Sequence, residues 1–204
     1  MSDATIYVVD DDEAMRDSMT WFLEGEGYRV ACFASAAAFL AARSDAMRGC
    51  LVLDVRMPDM SGLELHERLD ALGSTLPIIF VTGHGDVPMA VSALQRGACD
   101  FIEKPFNNDE ILSRIRRALE LDAQLAARRQ RDTAISHRLG QLTPREREVM
   151  KLVVAGKLNK QIADALDISM KTVEAHRARV MEKMGVRTLA ELVKAAIALE
   201  DEER

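Results

Sequence analysis

The chain has 204 residues, 48% of them hydrophobic and 29% charged, a globular balance that excludes a wholly disordered protein and leaves room for one mid-sized domain plus a small one. No apolar run approaches the roughly 20 residues of a membrane span, and acidic Asp3 stands where a secretory leader would be basic, so a cytoplasmic protein without membrane contact is expected. The net charge of −6 would disfavour nucleic acid if it were spread evenly, but residues 1–122 hold 11 basic against 21 acidic residues and residues 123–204 hold 16 against 12; without the acidic terminus Glu200 to Arg204 the C-terminal region carries +7.

From the N-terminus to about residue 120, short apolar runs alternate with amphipathic segments, the pattern of βαβ units around a parallel sheet buried on both faces. Strands are predicted at Ile6–Val9, Tyr28–Phe33, Leu51–Leu53, Ile78–Val81 and Phe101–Ile102. Helices are predicted at Glu13–Glu24, Ser35–Arg43, Gly62–Leu72 and Val87–Arg96, closed by Gly25 and Gly27, Gly73 and Gly97. The sum is a flavodoxin-like, doubly wound five-stranded sheet whose functional groups belong beyond the carboxyl ends of the strands. Cys32, Cys50 and Cys99 lack the spacing of a metal or redox site and read as small buried residues.

After Pro105 there is neither proline nor glycine until Gly140, and Ile111, Leu112, Ile115, Leu119 and Leu125 recur at helical spacing. A fifth helix is therefore expected to run on as a long linker, with residues 123–141 joining the two domains. Its far stretch, Ala126 to Arg138, has a thinner apolar stripe and is the segment expected to be exposed or frayed. From residue 142 to 204 the pattern is all helical: Pro144–Ala155, Asn159–Leu166, Ser169–Met184 and Leu189–Leu199, with Thr143, Pro144 and Glu146 as a helix-start signal.

Four strand ends carry chemistry. Asp10, Asp11 and Asp12 follow the first, Asp54 ends the third, Thr82 the fourth, and Lys104 follows the fifth. Clustered carboxylates repel one another unless a cation neutralises them, and a hard, oxygen-seeking Mg²⁺ suits such a site. A lysine and a threonine hydroxyl beside it suit the oxygens of a phosphoryl group. Each residue alone has a blander role: Asp12 as a helix cap, Lys104-Pro105 as an exposed turn. Their convergence in a register that the fold makes adjacent favours phosphoryl transfer to a carboxylate. His84, between Gly83 and Gly85, reads as a structural loop residue, and Pro58 and Gly62 as shaping residues of the loop after Asp54.

The motifs VVDDD, LDVRMPDMSG, VTGHGD and FIEKPF resemble the receiver domain of two-component response regulators over residues 3–122. The resemblance implies that Asp54 accepts a phosphoryl group from a histidine kinase. It implies that Asp11, Asp54 and the backbone carbonyl of Arg56 hold Mg²⁺, with Asp10 helping through water. Thr82 and Lys104 would contact the phosphoryl oxygens. Phe101 would be the aromatic that turns inward on activation, a Phe where many members have Tyr.

In the C-terminal region, a pair of helices joined only by Asp167 and Ile168 forms a helix-turn-helix. Val173, Val180 and Met184 fall on one face of the second helix and Lys171, Glu174, Ala175, Ala178 and Glu182 on the opposite one, where small residues permit close approach and Glu174 can accept from a cytosine amino group. LTPREREV, NKQIADALDIS and KTVEAHRARVMEKMGV resemble the LuxR/FixJ-type output domain over residues 142–199. That resemblance implies a helix lying in the major groove of DNA, with Lys171, Glu174, Ala175, Arg177 and Ala178 facing bases. Asn159, Lys160, Thr172, His176 and Arg179 would touch the backbone or support the helix, His176 with the alternative of a core residue.

Together these readings describe a response regulator, phosphorylated on Asp54, that pairs into a homodimer and binds promoter DNA, with RNA polymerase downstream and activation favoured over repression by resemblance. It turns over no external substrate and assists only its own phosphoryl transfer and dephosphorylation. A phosphatase of the haloacid-dehalogenase kind would need an acid two residues after the nucleophile, where Arg56 stands. A phosphorylation-independent DNA-binding regulator is the alternative, and it would be marked by missing acids or lysine; none is missing.

Overall fold

The computed structural model describes residues 4–83 and 98–200, with side chains as far as Ile197. His84 and the helix expected over Val87–Arg96 lie outside the described residues. The chain divides into two compact units, Met1–Ala126 and Ala127–Arg204, and among the described residues no helix is long and apolar enough to cross a membrane.

The first unit runs β1 (Thr5–Val9), α1 (Glu13–Gly25), β2 (Arg29–Phe33), α2 (Ala36–Ala42), β3 (Gly49–Asp54), α3 (Gly62–Ala71), β4 (Ile78–Thr82), β5 (Asp100–Glu103) and the opening turns of α4 (Asn108–Gly140). The strands form one parallel sheet in the order β2-β1-β3-β4-β5, the expected doubly wound arrangement. Alternate strand residues feed two apolar layers. On one face Val9, Leu53 and Phe80 meet Phe39 of α2 and Leu65 and Leu69 of α3. On the other, Val8, Val52 and Ile79 meet Met19 and Leu23 of α1 and Ile111, Ile115 and Ala118 of α4. Each such side chain contributes about 1.5–3 kcal/mol by leaving water, which fixes the register. Every residue of central β3 is buried.

β3 begins two residues before the predicted Leu51, because Gly49 has φ +128° and a Cβ there would sit 1.9 Å from the Thr5 carbonyl oxygen. Only glycine lets β3 pair with the start of β1. Just before it, Arg48 Nε donates to both carboxylate oxygens of buried Asp122 on α4 at 3.2 and 3.0 Å, so that the acid is paired where burial would otherwise penalise its charge. The cysteines correct one expectation. Cys50 is buried and Cys99 partly so, but Cys32 is exposed: β2 is an edge strand, and the Cys32 Sγ lies beside the Thr20 hydroxyl at 3.1 Å.

In the second unit α4 finishes at Gly140 and is followed by α5 (Pro144–Val154), α6 (Asn159–Leu166), α7 (Met170–Met184) and α8 (Leu189–Glu200). Val149, Val153, Ile162, Val173, Val180 and Leu192 form its core, and Ile135 and Leu139 of α4 pack against it. The segment Ala126 to Arg138 is helical throughout and largely exposed. Ile135 and Leu139, one turn apart, pack its far end against that core.

Candidate functional site

The carboxyl edge of the sheet gathers the predicted acids. β1 delivers Asp10 and Asp11, β3 delivers Asp54, β4 Thr82, and the chain leaving β5 delivers Lys104. Oxygens of Asp10, Asp11 and Asp54 lie within 4.8 Å of one another, and Asp11 is the exposed member. Asp10, Asp54 and Thr82 are only 4%, 7% and 2% exposed, so their polar groups are held largely out of water. Lys104 Nζ donates to Asp10 Oδ2 at 2.7 Å and reaches Asp54 Oδ1 at 3.4 Å.

Electrostatics follow from this crowding. Burial pushes the Asp54 carboxyl above the usual aspartate range; Lys104 pulls it down, and Asp10 and Asp11 push it further up. Burial works against the Lys104 ammonium too, but the hydrogen bond and charge of Asp10, with the charge of Asp54, outweigh it and hold the lysine above its ordinary value. The loop carrying the acids is fixed locally. Asp10 Oδ1 accepts from the Asp12 amide at 2.9 Å, and Asp12 caps α1 by accepting from the Ala14 amide at 2.9 Å. Arg16 donates to the Asp10 and Asp11 carbonyls at 2.8 and 2.9 Å. Arg16 is a supporting residue that sequence reasoning missed. Its signal is a cation four residues past the cap, one turn up α1.

After Asp54 the chain is held close. The Gly62 amide donates to the Val55 carbonyl at 3.0 Å, and a Cβ on Gly62 would lie 2.3 Å from the Asp54 carbonyl oxygen. Ser61 and Glu64 start α3 with a reciprocal capping box. Arg56 is exposed in this loop. Phe101, on β5, is partly buried against the α2–α3 side of the sheet. Three carboxylates in mutual reach, with oxygen as the only donor atom, fit a hard divalent cation such as Mg²⁺.

The second unit places the predicted helix-turn-helix on α6 and α7. The turn is tight: Asp167 adopts the left-handed conformation, φ 52°, and the Ile168 amide donates to the Ala163 carbonyl at 3.1 Å. Ser169 caps α7, accepting from the Thr172 amide at 3.1 Å, and its hydroxyl also pairs with that of Thr172 at 2.8 Å. Val173, Val180 and Met184 point into the core, while Lys171, Glu174, Ala175, Ala178, Arg179 and Lys160 are exposed. Two predicted contact residues are joined to each other: Arg177 Nη1 donates to Asn159 Oδ1 at 2.9 Å. His176 is half-buried, and its buried Nδ1 has no hydrogen-bond partner among the described residues. Lys183 Nζ meets buried Glu146 at 2.6 Å, a second structural pair the sequence pattern did not mark. The Lys183 hydrogen bond, then the Thr143 amide of the α5 capping box, hold the Glu146 carboxyl down at about 2.

Comparison with known proteins agrees with both halves. Residues 6–116 match the response regulator receiver domain, and residues 140–196 match the bacterial regulatory proteins of the luxR family. The chain is 50% identical over 200 residues to the transcriptional regulatory protein FixJ of Rhizobium meliloti, covering 97% of each chain. It is 44% identical over 203 residues to the response regulator protein TodT of Pseudomonas putida, covering 98% of this chain and 89% of that one. Among solved structures, the response regulator StyR superposes with a TM-score of 0.85 at 42% identity, over 96% of this chain and 98% of that one. Full-length FixJ from B. japonicum gives 0.60 at 44% identity, over 98% of each. A phosphoacceptor-type acid cluster and a helix-turn-helix in one chain, each matched along its length, leave one assignment: the chain belongs to the two-component response regulators of the FixJ type, a receiver domain with a LuxR-family DNA-binding output domain.

Proposed function

We propose that Asp54 is the phosphoacceptor through which a histidine kinase controls DNA binding by this protein. The observation that carries the reading is the ammonium of Lys104 placed between Asp10 and Asp54, with Asp11 beside them. In the transfer, an Asp54 carboxylate oxygen forms a bond to phosphorus as the bond from phosphorus to the kinase histidine nitrogen breaks, and that nitrogen leaves with the electron pair. Lys104 and Thr82 then face the new phosphoryl oxygens, and Lys104 exchanges carboxylate partners for them. Asp11, Asp54 and the Arg56 carbonyl would hold Mg²⁺, with Asp10 assisting through water. Bound there, the ion would supply positive charge against the negative charge gathering on the transferring group. Phe101 follows the change by turning inward. The receiver thereby assists its own phosphorylation and dephosphorylation and turns over nothing else.

The output half, residues 142–199, reads promoter DNA with α7 in the major groove. Lys171, Glu174, Ala175 and Ala178 face bases, and Lys160, Arg179 and His176 serve the backbone. Thr172 closes the cap of α7 with Ser169, and Arg177, bonded to Asn159, holds α7 to α6. The boundaries we assign are 1–122 for the receiver, 123–141 for the linker and 142–204 for the reader. Phosphorylation favours a homodimer, since one small reader spans few base pairs and paired half-sites raise affinity. The dimer activates transcription by RNA polymerase in the cytoplasm.

Incubation with a small-molecule phosphodonor and Mg²⁺ tests the reading: intact mass should gain one phosphoryl group, Asp54→Asn should gain none, and a chelator should prevent the gain. Labelling of Asp54→Asn at the wild-type level would overturn the assignment.

A further inference from the structure

The carboxyl end of α7 is held by a residue outside the helix-turn-helix. The last carbonyls of any helix lack intrahelical donors and carry the negative end of its dipole. Here Arg138, two residues before the end of α4, donates from Nη1 to the Met184 carbonyl at 3.0 Å. The chain turns at Gly185, φ +65°, whose amide closes on Glu182 and whose neighbour Val186 closes on Met181, each at 3.0 Å. The guanidinium lies directly over that glycine: a Cβ on Gly185 would be 3.0 Å from Arg138 Nη1 and 3.2 Å from its Cζ. Ile135 and Leu139, on either side of Arg138, anchor the same turn of α4 in the core. Lys183 adds a second tie, donating to the Gln141 carbonyl at 3.2 Å.

We propose that Arg138 is a positioning residue for the recognition helix: by clamping the Met184 carbonyl from α4 it fixes the angle at which α7 is presented, so that sequence discrimination depends on a linker residue that touches no DNA. The inference rests on the DNA-binding reading of the output half. Base readout tolerates displacements of only about 0.5 Å, or 10–20° in angle. Attraction to phosphates depends on the count and placement of cations and tolerates far more. Freeing the carboxyl end of α7 therefore weakens the first and spares the second. The route is local, because the same turn of α4 that carries Arg138 also carries the two core anchors.

The test uses the full chain treated with phosphodonor and Mg²⁺, a duplex enriched from a random pool by the wild-type protein, and a scrambled duplex of equal length. Arg138→Ala should lose about 10-fold or more on the enriched duplex, the worth of one base contact, and less than about 3-fold on the scrambled one. The slope of log affinity against log salt should not change, whereas a direct phosphate contact would lower it by about one. Amide exchange at Gly185 and Val186 should quicken, and Arg138→Lys, which keeps a donor for the carbonyl, should recover much of the discrimination. Equal losses on both duplexes, a lowered slope, unchanged discrimination or an Arg138→Lys no better than Ala would each overturn the positioning role. A wild-type chain that enriches no duplex would overturn the DNA reading and this role with it, whereas enrichment by the wild type with equal discrimination by Arg138→Ala overturns this role alone.

Discussion

Replacing Glu146 by Gln should destabilise the second unit in a pH-dependent way. The carboxylate accepts from Lys183 Nζ at 2.6 Å and from the Thr143 amide at 2.8 Å while almost fully buried. Its pKa falls from 4.5 to about 2; taken whole, that shift corresponds to about 3 kcal/mol. Lys183 is 32% exposed, so water screens the pair, and because a Gln can still accept from the Thr143 amide the expected loss at pH 7 is about 1 kcal/mol, that of a partly screened ion pair. A carboxylate with a depressed folded pKa stabilises above its unfolded pKa and loses that contribution as pH falls through the folded value. Wild type and Glu146→Gln should therefore differ fully above about pH 5, and the gap should close between pH 4.5 and about 2. The only tryptophan, Trp21, sits exposed on α1 in the first unit, so its fluorescence does not follow this unfolding. Hydrogen exchange of peptides from α5 and α7, measured against urea, does. A gap that stayed constant from pH 7 to pH 2.5 would refute the role assigned to the ionised carboxylate, as would a double-mutant cycle with Lys183→Met showing no coupling.

Other outcomes follow from the first unit and the reading face. Gly62→Ala drives a Cβ to 2.3 Å from the Asp54 carbonyl and should displace the loop after β3, cutting phosphoryl uptake from a small-molecule donor by about 10-fold or more on the scale of a 1 Å misplacement; intact-mass kinetics at wild-type rate would contradict it. Gly49→Ala meets the Thr5 backbone at a φ no alanine adopts easily and should cost about 3 kcal/mol or more in urea melts of the first unit, an unchanged midpoint counting against the close approach. Converting Lys160 and Arg179 to Ala should lower the salt slope of DNA binding by about one unit each per bound domain, and an unchanged slope removes them from the interface. Arg177→Ala, which breaks the tie to Asn159, should weaken the enriched duplex without removing a phosphate contact; a lowered salt slope would show that Arg177 touches phosphate itself.

The sheet was legible because strands buried on both faces read as unbroken apolar runs, and the site because acids, a hydroxyl and an ammonium fall at four of the five strand ends. Cys32 was misjudged for the same reason that β2 was found: the apolar run marks a strand, but only the strand order makes it an edge with an open side. Arg48 with Asp122, and Lys183 with Glu146, join residues 74 and 37 positions apart, and no local periodicity reports such pairs. The inward face of α7 was readable from spacing alone, as buried Val173, Val180 and Met184 show. The pairing of Arg177 with Asn159 was not, because each residue by itself looks equally suited to DNA. The far end of α4 looked weakly apolar because its two anchors, Ile135 and Leu139, are few, although both reach a core.

Lys104 and Asp10 meet across 94 residues of chain, and that separation bears on how the protein is made. During synthesis the first strand leaves the ribosome long before its lysine partner, and the sheet face that α1 covers with Met19 and Leu23 is completed only when Ile111, Ile115 and Ala118 of α4 arrive. Until then Asp10 and Asp54 are acids on a nascent chain without their counter-charge. Pairings between such distant segments form late, since loop closure is costly before contacts reward it. The acid cluster thus gains its counter-charge only once the receiver has been translated past Lys104, and under the function proposed above a phosphoryl group on Asp54 would also mark a chain that has finished folding.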